Sequence, residues 1–138
     1  MVISIDTYRF TIRKTLVDQE SSVDILYWKM FKAMRIPEAE MVPYDDHVVG
    51  FSGEKVGIKG YIELYTTFGQ EKNNKMIKIR YLVIDANTSY NILLGRPSIN
   101  RLMAIVSTPH LQMKFPSPTG RSMWTKRRHE NAKLRASE

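Results

Sequence analysis

Asp18 stands directly after the apolar pair Leu16-Val17 and opens a short polar turn, Asp18-Gln19-Glu20-Ser21-Ser22. An aspartate can act as a general acid or base. Taken alone, this one is a polar residue closing a strand end or starting a turn. Asp24 follows the same turn, and Asp85 ends the run Leu82-Val83-Ile84, where it reads as a turn cap. His47, His110 and His129 are scattered and lack zinc-ligand spacing, so no metal site is expected. Cysteine is absent. That excludes disulfides, Cys-ligated zinc and thiol catalysis, and it fits a reducing compartment.

The elements around these residues are mainly strands. In residues 2–17, Tyr8, Phe10 and Ile12 alternate with Arg9, Thr11 and Arg13, which predicts two strands or one long bent one. Leu26, Met30, Ala33 and Met34 fall at helical spacing and predict a short amphipathic helix over 25–34, with the methionines filling the core. Residues 47–68 return to a β pattern punctuated by Gly50, Gly53, Gly57 and Gly60, and Gly50-Phe51-Ser52-Gly53 reads as a hairpin tip. A strong strand follows at 76–85. The apolar run Ile92-Leu93-Leu94 stops at Gly95, and Pro97 suits the first turn of a short helix over 96–104. Residues 104–115 give the last strand or hairpin. Strand, apolar stretch, turn and helix thus occur at 8–34 and again at 76–104. The expected fold is mostly β, a small barrel with two short helices.

The chain's 138 residues and 43% hydrophobic content suit one compact domain. No stretch approaches the roughly 18 apolar residues of a membrane span, and the first residues carry no secretory pattern. An intracellular, cytoplasmic location is expected. The net charge is +7, and residues 121–138 supply four of those charges. A basic tail can steer toward nucleic acid. The body lacks a basic-aromatic patch in the linear sequence, so nucleic-acid contact is expected only through the tail.

Four segments in order resemble one family. Leu16-Val17-Asp18-Gln19-Glu20-Ser21-Ser22-Val23-Asp24-Ile25-Leu26 is similar to the active-site segment of retropepsin-like aspartic proteases in plant gypsy-type retrotransposon polyproteins. Val48-Val49-Gly50-Phe51-Ser52-Gly53-Glu54 is similar to their flap. Tyr90-Asn91-Ile92-Leu93-Leu94-Gly95-Arg96-Pro97 resembles their second signature, and residues 106–115 resemble their closing strands. The likeness runs from about Val2 to Gly120. It implies a protease domain over 1–120 and a basic, disordered tail over 121–138.

The resemblance implies a small closed acid-protease barrel with a flap hairpin, working as a homodimer on polypeptide substrate, with no metal or organic cofactor. Each chain would contribute Asp18. Two carboxylates a few ångströms apart cannot both ionise cheaply, so they share a proton. One then acts as base toward water and the other as acid toward the scissile carbonyl. Ser21 matches the serine that hydrogen-bonds the aspartate in this family, and Gln19 takes the position of a residue that ties the two turns across the dimer. Asp24 and Arg96 are expected to form an ion pair where the two signatures meet. Phe51, at the flap tip, would cover substrate. The chain departs from the pattern at Glu20, where the family places glycine. Its side chain would project toward the substrate path and bring two extra carboxylates near the dyad. The expected function is therefore an aspartic endopeptidase, and the alternative is a catalytically impaired dimerisation or interaction module.

Overall fold

The computed structural model describes residues 1–44, 57–69, 74–107, 112–117 and 120–125. Two hairpins supply the long strands. β1 (Val2–Thr7) pairs with β2 (Phe10–Val17), with Thr7 opposite Phe10 and Val2 opposite Leu16. β4 (Gly57–Phe68) pairs with β5 (Lys75–Asp85) along its whole length, with a bulge between Ile58 and Gly60. Alternation on both strands sends Ile62, Leu64, Ile77 and Ile79 inward.

Two short strands join the hairpins. β3 (Ile25–Tyr27) runs parallel to β5, and β6 (Ile92–Leu94) runs parallel to β2 and antiparallel to β3. β4 meets β1 at Asp6 and Thr67. The result is a closed barrel in the order β1-β2-β6-β3-β5-β4. Closure pairs every strand on both sides, which removes exposed edges. The mostly β, closed-barrel expectation with two short helices agrees with this architecture.

The helix expected over 25–34 starts later. Ile25–Tyr27 is strand, and α1 covers Trp28–Ala33. Residues 25–27 are strand because pairing on both sides, with Leu82–Ile84 and with Ile92–Leu93, satisfies their backbone groups better than one extra helical turn would. A 3₁₀ turn follows at Glu38–Glu40. α2 covers Arg96–Leu102, with Pro97 in its first turn, and Met103 closes it in the left-handed conformation.

β7 (Ile105–Ser107), β8 (Gln112–Ser117) and β9 (Gly120–Thr125) form a three-stranded sheet. Met113 and Phe115 join the barrel core, and Phe115 meets Phe68 edge-on at 6.4 Å. The folded chain thus continues past the boundary expected at Gly120. Residues 121–125 pair with β8 and are no disordered tail, because the hairpin gives them backbone partners. Residues 126–138, the expected flap Gly50-Phe51-Ser52-Gly53, and His47, His110 and His129 lie outside the described residues. Among the described residues, no helix is long and apolar enough to cross a membrane.

A hydroxyl network sits inside the barrel. The Tyr81 hydroxyl lies 2.9 Å from Thr66 Oγ1, which donates to Thr7 Oγ1 at 3.3 Å, and Thr7 donates to the Tyr65 carbonyl at 2.8 Å. Burial and the Asp24 charge both raise the Tyr81 phenol far above its usual range, against the Thr66 hydrogen bond. The outward face of β4 and β5 differs from expectation. It brings Tyr61 and Tyr65 together with Lys78 and Arg80, so the body does carry a basic-aromatic patch. These residues are far apart in sequence, and only the hairpin register assembles them.

Candidate active site

Asp18 directly follows β2, beside the end of β6. Its N–H donates to the Leu94 carbonyl at 2.9 Å, which continues the parallel β2–β6 ladder into the turn. Its Oδ1 accepts the Glu20 N–H at 2.9 Å, an Asx-type turn that aims the carboxylate back over its own loop. Arg96 N–H donates to the Ser21 carbonyl at 2.8 Å. The turn at 18–23 and the signature at 92–96 are thus one backbone unit.

Gly95 is the hinge of that unit. A Cβ there would lie 2.7 Å from the Ser21 carbonyl oxygen and closer still to that of Val23. Its backbone is not left-handed, with φ at −102°, so glycine is required by close approach and not by conformation.

Asp24 does not pair with Arg96. Its carboxylate is buried and accepts the Gly95 N–H at 2.7 Å, while Arg96 is exposed. The single ion pair among the described residues joins Lys78 and Glu63. The physical reason is that a buried backbone N–H needs a partner, whereas a surface guanidinium stays solvated. The Ser98 hydroxyl is buried and lies near enough to favour the Asp24 carboxylate, but it does not reach hydrogen-bond geometry. It therefore counts as a weak polar neighbour.

Burial pushes the Asp24 carboxyl above its ordinary value of 3.8, against the lowering pull of Gly95, Ser98 and Arg101. The native chain then binds this proton more tightly than the unfolded chain, so stability falls as pH rises from 3.8 through the raised value. Asp24→Asn keeps an acceptor for Gly95 and removes the titration. Urea midpoints of wild type and Asp24→Asn should therefore diverge as pH rises from acid to neutral, with the variant gaining. Asp24→Ala leaves the Gly95 N–H unsatisfied and should cost about 1–3 kcal/mol. A wild-type-minus-Asn difference that does not change with pH would show that Asp24 does not titrate in this window.

Ser21 does not reach Asp18 with its hydroxyl. Ser21 Oγ donates to the Val23 carbonyl at 2.8 Å and accepts the Val23 N–H at 3.3 Å, so it braces its own turn. The Ser21 N–H donates weakly to the Asp18 carbonyl at 3.3 Å. Gln19 and Glu20 are exposed. Ile92 and Leu94 point into the core, and Leu93 points the other way.

Leu93 belongs to a second apolar cluster outside the barrel, formed by Ile25, Leu82 and Ile84 with Val23, Tyr27 and Ile58 around them. Burial, and then the Asp18 charge, raise the Tyr27 phenol above its usual range. Tyr27 is not marked as a site residue by its position, because its segment reads as helical. Among the described residues no group of three histidines or carboxylates could hold a metal ion.

No protein-family model matches this chain, and no curated protein matches it. Its backbone is similar to the crystal structure of the retroviral protease-like domain of Ddi1 from Leishmania major. The TM-score is 0.67 at 12% sequence identity, over 91% of this chain and 94% of that one. The chain has a retroviral protease-like fold. The likeness covers nearly the whole of both chains, so this fold accounts for the barrel and the sheet packed on it together.

Proposed function

We propose that this chain is one half of a homodimeric aspartic endopeptidase, similar to those of plant gypsy-type retrotransposon polyproteins. The observation that carries this reading is the position of Asp18. It follows the last residue of a barrel strand, its N–H is tied to the Leu94 carbonyl, and its carboxylate is held by the Glu20 N–H at the head of the turn that Arg96 fastens to the second signature. One such turn per chain calls for a second copy to complete a pair of carboxylates.

In that pair, one Asp18 takes a proton from water while the other gives its proton to the carbonyl oxygen of the scissile peptide. The resulting tetrahedral carbon expels the amine, which leaves with a proton, and the dyad returns to its shared-proton state. Phe51, outside the described residues, would cover the substrate. The exposed Glu20 side chain on the same turn supports a second reading, an impaired protease-like module that keeps the dimer but not the chemistry.

Sedimentation at micromolar concentration should show a dimer. Cleavage of an apolar-rich peptide at mildly acidic pH should be blocked by a pepstatin-type inhibitor and lost in Asp18→Asn. A dimer without cleavage selects the module reading. A strict monomer with a folded spectrum counts against both.

A further inference from the structure

The outward face of the β4–β5 hairpin runs on from the second apolar cluster, on which Tyr61 packs, to a polar half that the site above does not use. Strand alternation presents Tyr61, Glu63 and Tyr65 there beside Lys78 and Arg80. The register sets Tyr65 opposite Lys78 and Glu63 opposite Arg80. The Lys78 ammonium lies 5.7 Å from the centre of the Tyr65 ring, and the Arg80 guanidinium 4.1 Å from that of Tyr61. Tyr65 is 61% exposed, an unusual state for an aromatic side chain on a barrel wall. Arg9, at the tip of the β1–β2 hairpin, lines a shallow pocket with Tyr65. Acids share this face: Asp6 lines the pocket with Arg9, and Glu40 and Glu63 line a second one with Lys78 and Arg80. Glu63 is engaged by Lys78 at 3.4 Å, while Arg80 and Arg9 stand outside any ion pair among the described residues.

We propose that this face binds single-stranded nucleic acid. Unpaired bases offer flat faces to stack on Tyr65 and on the Arg80 guanidinium, which Tyr61 supports from beneath. The phosphates meet Arg9, Lys78 and Arg80. Exposed aromatics interleaved with cations on a sheet surface are the arrangement that single strands use. A duplex hides its base faces and gains nothing from an exposed ring. An acidic peptide would use the cations but not the ring. The idea is independent of proteolysis, and it places binding on the folded body and not only on the basic residues after 125.

The test is fluorescence anisotropy on the full chain with labelled oligothymidylate and a duplex of equal length. The single strand should bind more tightly than the duplex. Tyr65→Ala should weaken single-strand binding about tenfold, the loss of one stacked base, with the salt dependence unchanged. Tyr65→Phe should retain binding, and Arg80→Gln should reduce the salt slope by about one. Equal binding of duplex and single strand, or no effect of Tyr65→Ala, would overturn the proposal and leave only diffuse charge attraction. A change in sedimentation on Tyr65→Ala without a change in anisotropy would overturn it in favour of an interface between copies of this chain.

Discussion

Glu20→Gly is expected to raise peptide cleavage at mildly acidic pH by at least tenfold. Glu20 sits two residues after Asp18, and its N–H already donates to the Asp18 carboxylate. A glycine N–H would make the same bond. Glu20 is also absent from the left-handed positions of the described chain, which are Tyr8, Arg9, Lys14, Arg35 and Met103 among non-glycine residues. The turn therefore does not need glycine for its backbone. What glutamate adds is a charged, exposed side chain beside the carboxylate. In a dimer, two such side chains would crowd the substrate path and unbalance the proton that the aspartates share.

A tenfold gain asks for only about 1.4 kcal/mol off the barrier. The substitution should lower stability by roughly 0.5–1 kcal/mol through added backbone freedom, so the gain would appear despite a slightly weaker fold. Glu20→Gln separates charge from bulk, because it keeps the size and loses the charge. Adding Asp18→Asn to Glu20→Gly should abolish the gain. If Glu20→Gly folds, dimerises and stays inert, Glu20 is not the brake and the interaction-module reading gains. If wild type cleaves well and Asp18→Asn changes nothing, Asp18 is not catalytic.

Gly95→Ala should be strongly destabilising. The added carbon would collide with the Ser21 and Val23 carbonyl oxygens. Neither oxygen is free to retreat. The Ser21 carbonyl accepts the Arg96 N–H at 2.8 Å, and the Val23 carbonyl accepts the Ser21 hydroxyl at 2.8 Å. Relief requires moving the turn away from β6, which also breaks the Gly95–Asp24 bond and strands a buried carboxylate.

A loss above about 4 kcal/mol is therefore expected, in the range reserved for named structural failures. Gly57→Ala is the control. Its nearest contacts are at 3.1 Å, to the Cβ and carbonyl oxygen of Asp85 at an exposed strand end that can shift. Urea denaturation should show a small change there and a large one, or no folded protein, at Gly95. Similar small losses at both positions would mean that the turn can yield, and that Gly95 does not hold the two signatures together.

Much of this molecule was legible in one dimension. The alternation of Tyr8, Phe10 and Ile12, and the apolar run in 76–85, marked strands because burial of one face leaves a period of two in the sequence. Pro97 after Gly95 marked the start of α2 because proline is tolerated only in a helix's first turn. The order of the four segments pointed to the barrel with its two short helices. Three other features were decided by tertiary structure. The first is β3, which three residues cannot announce and which exists because β5 and β6 lie on either side of it. The second is Asp24, for which the resemblance implied Arg96 as a partner by charge but whose burial handed it the neighbouring Gly95 N–H, 71 residues away in the chain. The third is the company of Asp18 and of Tyr65. Leu94 reaches the first through the parallel β2–β6 ladder, and Lys78 reaches the second through hairpin register. Periodicity records which side of an element is buried, but it is blind to the partner across the gap, because barrel closure selects that partner from strands distant in the chain.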